Sequence, residues 1–244
     1  SDRRNSHFYP VSKTSTRNCS GSDWSGNYLN WAATQTIDPF RSALTGGYRV
    51  RDTPTETWLE KARHTGQSGT GNRSISGSST VQNAGPANWS NLNTRVSGLG
   101  NRLRFTDSGN WNGTIYDYNP SNSIRSDRVY EVYIRVKVCD PNVGLESNCE
   151  RYSQGYKPEG LIQQYSDQIR YSVFGYLNDS SIYRDGGVLR AQQKFVGPNT
   201  RTPGVSGTQV NAAKEWDEVT GVMIRNPDTA SASATNAQIF DSGV

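Results

Sequence analysis

The side chains best suited to chemistry are few in this sequence. Histidine occurs only at His7 and His64, and cysteine at Cys19, Cys139 and Cys149. A serine or cysteine nucleophile needs a base, so a hydrolytic triad would have to recruit one of those two histidines. His7 lies in a polar N-terminal stretch. His64 falls at the end of an expected helix, where an imidazole interacts with the helix dipole. No GxSxG, HExxH or P-loop pattern is present. Two histidines without a CxxC pair also argue against zinc. Two carboxylate pairs stand out, Asp140 with Glu146 and Asp179 with Asp185. Beside Gly, Pro and Asn such residues serve turns and caps. As a glycosidase pair they would have to face each other across a cleft, and nothing in the sequence places them there. Asp140, Asn142 and Glu146 could offer hard oxygens to calcium, but their spacing is not that of an EF-hand loop. Arg184-Asp185-Gly186-Gly187 leads into a strand-like segment, so it reads as a hairpin turn and not as a phosphate cradle.

Cys139 and Cys149 are close in sequence and flanked by Asp140, Pro141, Asn142 and Gly144. They read as a short disulfide-closed loop, which implies an oxidising compartment; two free thiols are the alternative. Cys19 is left over, free or paired outside this chain.

Composition narrows the classes further. The net charge is +4 and the basic residues are scattered, whereas nucleic-acid binding calls for a concentrated basic stripe. Only 32% of residues are hydrophobic, but 6 Trp, 13 Tyr and 6 Phe are too many for a solvating polymer. The expectation is a folded domain with long polar loops. No apolar run is long enough to cross a bilayer. With neither an initiator Met nor a signal peptide, the chain is expected to be a mature product or a piece of something larger. Abundant Ser, Thr, Asn and Gly lean towards an extracellular setting.

The elements that must position these residues follow from pattern. Residues 1–22 read as irregular. Residues 23–65 form a helical segment: Leu29, Ala33, Phe40 and Leu44 lie near helical spacing, with Asp23 or Ser25 as cap. Pro39 divides the run, and Gly46-Gly47 ends it. Thr53-Pro54-Thr55-Glu56 has capping-box spacing and predicts a short helix through Trp58, Leu59 and Ala62. Residues 66–98 read as a Gly/Ser/Asn-rich loop. Residues 99–244 read as the strand-rich part of the same domain, with strands at 103–105, 113–118, 129–138, 169–177 and 188–196. In the strand over 129–138, Val132, Ile134, Val136 and Val138 are expected inward. The strand over 169–177 is apolar on both faces and is expected to be central. Val188–Val196 should turn Leu189, Ala191 and Phe195 inward, and a short helix near 212–218 is allowed. The order points to an α/β or α+β fold, a mixed β-sheet flanked by helices.

Several strings, taken together, resemble one family. They are Trp24-Ser25-Gly26-Asn27-Tyr28-Leu29-Asn30-Trp31-Ala32, Ile37-Asp38-Pro39-Phe40-Arg41 and Leu44-Thr45-Gly46-Gly47-Tyr48-Arg49. Val136-Lys137-Val138-Cys139-Asp140, Gly144-Leu145-Glu146-Ser147-Asn148-Cys149 and Tyr156-Lys157-Pro158-Glu159-Gly160-Leu161 follow. Phe174-Gly175-Tyr176-Leu177-Asn178-Asp179 and Arg184-Asp185-Gly186-Gly187-Val188-Leu189-Arg190-Ala191 complete the set. In this order they look like the N-terminal half of PilY/PilC-type tip adhesins of type IV pili. The resemblance implies an exported, non-enzymatic protein at the pilus tip, supporting pilus biogenesis, surface attachment and twitching motility. Its implied partners are minor pilins or other pilus components, and a host or abiotic surface. It also implies a von Willebrand A-like region with long insertions. Cys139 and Cys149 match the family's paired cysteines. Asp23-Trp24-Ser25-Gly26-Asn27 resembles the metal-binding DxSxS string, but Asn27 stands at its last serine. No metal ligand is therefore carried over, no cofactor is expected in this segment, and calcium is expected only elsewhere in a parent protein. The candidate contact residues are Trp89, Trp111, Tyr116 and Tyr118, with core packing as their alternative role. A structural spacer and a secreted carbohydrate-active enzyme are the competing functions.

Overall fold

The computed structural model describes residues 6–16, 18–19, 23–65, 71–176 and 186–224. Its elements in chain order begin with α1 (Gly26–Ala33), α2 (Ile37–Thr45), β1 (Arg49–Thr53), β2 (Glu56–Glu60), β3 (Arg73–Ser76) and α3 (Ser78–Ala84). β4 (Asn91–Arg95), β5 (Arg102–Thr106), β6 (Ile115–Asp117), β7 (Val129–Tyr133), β8 (Arg135–Val138), β9 (Cys149–Arg151) and β10 (Tyr156–Pro158) follow. The last are α4 (Leu161–Gln164), β11 (Tyr171–Tyr176), β12 (Gly187–Lys194), β13 (Asn199–Thr200) and β14 (Gln209–Val210). The chain divides into two compact units, each discontinuous in sequence. The first gathers residues 1–39, 58–137 and 142–144; the second gathers 40–57, 138–141 and 145–244.

The first unit is built on a five-stranded sheet in the order β3-β4-β5-β7-β6. Neighbours are antiparallel except β6, which runs parallel to β7. Alternation sends Leu92, Thr94, Leu103, Phe105 and Tyr130 to one face, where all are buried. The buried residues of α1 (Tyr28, Ala32, Ala33) and of α3 (Val81, Ala84) join the same cluster. Ser25 starts α1 as its N-cap, its Oγ accepting the Tyr28 N–H at 3.3 Å. The opposite face carries Arg95, Arg104, Glu131 and Asp117 in one cross-strand row. Glu131 there accepts from Arg102 Nη1 at 2.7 Å and Arg104 Nε at 2.8 Å.

The second unit has a small apolar cluster of Ile162, Val196 and Trp216, joined by Leu44, Tyr171 and Met223. It relies more on polar ties. Arg49, Asp52, Thr57 and Lys157 form a buried centre. Asp52 accepts from Arg49, Thr57, Lys157 and the Met223 N–H, at 2.8–3.0 Å. Lys157 Nζ also donates to Thr57 Oγ1 and the Thr53 carbonyl. Burial pushes the Asp52 carboxyl up, but the Arg49 guanidinium and these hydrogen bonds outweigh it and hold it below the ordinary carboxylate value.

Several expectations are corrected. The Thr53-Pro54-Thr55-Glu56 string turns β1 into β2 and starts no helix; the Glu56 N–H bonds Thr53 Oγ1 at 3.1 Å within that turn. Residues 66–98, expected as a loop, contain β3, α3 and β4. The strand over 129–138 breaks into β7 and β8, and Val136 is exposed. The strand over 169–177 is not central. Among the described strands β11 pairs only with β12, and Val173, Phe174 and Leu189 are exposed. In place of a helix at 212–218 there are turns and a Trp216–Met223 bridge. The fold is α/β with mixed sheets and few helices. The von Willebrand A-like arrangement draws no support from the described strands, since β3, β4, β5 and β7 are successively antiparallel.

Candidate interaction surface

The four aromatic candidates divide by burial. Trp89 is 5% exposed and lies in the first unit's core, its ring 6.1 Å from Phe105 and 6.4 Å from Tyr130. It is a packing residue, which corrects its reading as a contact. Tyr118 is half-buried; its ring meets Phe105 edge-on at 5.4 Å and Trp24 at 6.0 Å. Trp111 is half-buried in the turn before β6. Tyr116 is exposed, and the Arg128 guanidinium lies over its ring at 4.2 Å. Sequence reasoning missed Ile115, exposed beside it, although β-branching next to two tyrosines was a signal.

β6 carries this patch because it is the edge strand. Among the described strands its one sheet neighbour is β7, and all three of its residues are exposed. The Tyr118 N–H reaches the Glu131 carbonyl at 3.0 Å. The two-residue alternation of a strand then turns the backbone groups of Ile115 away from β7. An edge of this kind can accept another extended chain. A small cavity of about 60 Å³ opens where β6 ends, lined by Ser6, Arg102, Asp117, Tyr118, Glu131, Val132 and Tyr133.

The disulfide is present: Cys139 and Cys149 are bonded, with Cα atoms 5.6 Å apart. Cys139 has a positive φ of 57°, and Glu146 accepts its N–H at 2.9 Å while lying 3.2 Å from Cys149 Sγ. Glu146 thus clamps the loop, which is a use for one of the three proposed calcium oxygens. Asp179 and Asp185 lie outside the described residues. His7 stacks on Trp58 at 3.7 Å, and His64 is buried with Nδ1 accepting the Gly98 N–H at 3.3 Å. Cys19 is half-buried and is not in the disulfide. The polar centre around Asp52 and Lys157 had no sequence signal, because its members stand 105 residues apart.

A mixed, mainly antiparallel sheet with short helices packed on it, an aromatic edge strand and a disulfide-closed loop define a small α/β class of protein. Residues 2–119 match the family described as "PilY1 homolog, small alpha/beta domain". A "Type IV pilus biogenesis factor PilY1 homolog" of Xylella fastidiosa is 52% identical over 252 residues, covering 96% of this chain and 20% of that protein. A second protein of that name from the same strain is 29% identical over 211 residues, covering 72% of this chain and 14% of its own length. The chain belongs to this PilY1 homolog family, and it spans about a fifth or less of the length of these curated relatives. No solved structure matches it.

Proposed function

We propose that this chain is a non-enzymatic segment of a type IV pilus biogenesis factor, exported to the cell surface at the pilus tip. It binds minor pilins or other pilus components, or a host or abiotic surface, and so supports pilus assembly, attachment and twitching motility. The observation that carries this reading is the β6 edge, with Ile115 and Tyr116 exposed and Trp111 just before it. Aromatic side chains on an exposed edge strand supply contact area for a partner. The names of the two relatives support a role in pilus biogenesis. On this reading the antiparallel layer is one of the long insertions of a von Willebrand A-like region, and a structure of a full-length relative tests that placement.

Trp111→Ala and Tyr116→Ala, made in the pilus-bearing strain, test the contact role. Surface attachment should fall several-fold, while the thermal midpoint of the purified chain stays put. Unchanged attachment would exclude this edge, and a large drop in the midpoint would return Trp111 to the core.

A further inference from the structure

The β11–β12 ribbon of the second unit exposes side chains that an isolated two-stranded ribbon cannot keep in water without cost. Phe174 is 69% exposed and Leu189, its direct cross-strand partner, 48%. Val173 and Ile169 are exposed as well. Leu161 of α4 and Tyr165, which caps its C-terminal end, are exposed too, and Tyr171 Oη donates to the Leu161 carbonyl at 3.4 Å. Two strands alone are marginal in water, and several large apolar side chains exposed on one such ribbon point to an interface.

Charge indicates what covers it. Among the described residues of the ribbon and its flanks, 169–176 and 186–198, the only charged side chains are Arg170, Arg190 and Lys194. Lys194 is paired with Glu215 and Arg170 lies over the Phe195 ring at 5.3 Å, while both Arg170 and Arg190 are exposed to solvent on the ribbon and its flank. A matching surface is apolar at its centre and carries carboxylates at its rim. Length indicates where that surface lies. The 52% identical relative devotes only 20% of its length to the part that aligns with this chain. An occupant within the same polypeptide also needs no second association step, since a tether supplies a high effective concentration.

We infer that the ribbon is the docking surface for another domain of the same, longer polypeptide, one that presents an apolar patch rimmed by acidic side chains. This goes beyond the contact role of β6, which it neither requires nor supports. The test places a photo-crosslinker at the centre of the patch, Phe174→p-benzoylphenylalanine, in the full reading frame that encodes this chain, and maps the crosslink by mass spectrometry. The expected product is intramolecular, joining position 174 to a segment outside these 244 residues, at an apolar site with Asp or Glu within a few positions. A reading frame that ends with this chain would overturn the inference. So would a crosslink to a separate pilus subunit, or reaction with solvent alone. The same crosslinker at the cross-strand position, Leu189→p-benzoylphenylalanine, guards against a change at 174 that disturbs the ribbon itself. It should reach the same segment, and capture of an unrelated one would overturn the docking. Arg190→Glu in either background should lower the crosslink yield several-fold, and an unchanged yield would remove the acidic rim from the proposal.

Discussion

Burial separates aromatic residues that look alike in sequence. Trp89 and Tyr116 both stand among polar neighbours, but Trp89 is sealed at 5% exposure while Tyr116 is 36% exposed. Trp89→Ala should cost about 3–5 kcal/mol, the usual range for a buried large aromatic. Tyr116→Ala should cost well under ~1 kcal/mol, because it loses mainly an exposed cation–π contact. Urea unfolding followed by circular dichroism checks both, and equal losses would contradict the placement of β6 at the edge. A second residue-scale prediction concerns Lys61. Its ammonium is buried and donates to the carbonyls of Ala62 at 2.9 Å and Gly100 at 2.6 Å. Burial lowers it from 10.5 to about 8, with Asp38 and Glu60 opposing the fall. Between those values the unfolded chain holds a proton that the folded chain has released, so this group makes stability rise with pH across that window. Tyr28 acts in the opposite sense higher up. Burial raises it from 10.0 to about 12, so the folded state keeps its proton and stability falls above pH 10. The unfolding free energy from urea titrations should therefore climb between pH 8 and 10, by on the order of 1 kcal/mol, before declining. Burial lowers Lys157 as well, so Lys61→Met should reduce the climb without removing it, and an unchanged climb in the variant would contradict the burial of this amine.

At the scale of elements, the ends of helices carry specific demands. Gly46 closes α2 with φ of 79°, and a Cβ there would lie 2.3 Å from the Pro158 carbonyl oxygen. Both the backbone angle and the close approach exclude a side chain. Gly46→Ala should lower stability by more than ~2 kcal/mol. Gly26→Ala is the control, since nothing lies within 4 Å of a Cβ at the first position of α1; it should be neutral or slightly stabilising. These termini were legible in sequence: the Ser25 cap, Pro39 in the first turn of α2 and the stop at Gly46-Gly47 all act locally. So were the presence of β5 and β6, though not their bounds, and the pairing of Cys139 with Cys149. The rest failed for identifiable reasons. Thr53 and Glu56 make the hydrogen bond that their spacing suggests, but a hairpin turn uses it as readily as a helix start. In 66–98 the alternation of Leu92, Thr94 and Val96 was present, and all three are buried, but a threonine in a Ser- and Asn-rich stretch hides a period of two. The apolar segment at 169–177 was read as central because hydrophobicity reports that a surface needs cover, not which chain provides it.

The whole molecule places its two units on different footings. Among the described residues, the first unit's core joins twelve buried residues and the second unit's cluster only three. Hydrophobic burial is therefore the main support of the first unit. The second leans on the Asp52 centre and on the Cys139–Cys149 link, which closes a loop with a sequence separation of 10 and contributes about 2–3 kcal/mol through the unfolded chain. Both supports can be removed chemically. Asp52 is held below its ordinary value, so its contribution is present at neutral pH and is lost as pH falls through that lowered pKa. Reductant removes the other and frees the loop that Glu146 clamps. The second unit should then open first, under reductant or under acid, while the first keeps its fold. Native-state hydrogen exchange resolves this. Amides of Leu103 and Phe105, at the centre of the five-stranded sheet, should stay protected after reduction, while those of Gln163 and Gln164, bonded to the Gly160 carbonyl, should exchange at least tenfold faster. Asp52→Asn should deepen the difference, since it leaves Arg49 and Lys157 buried around a neutral amide. If the two sets of amides lost protection together, the chain would be one cooperative structure, and the unequal division of core and polar support would have no thermodynamic consequence.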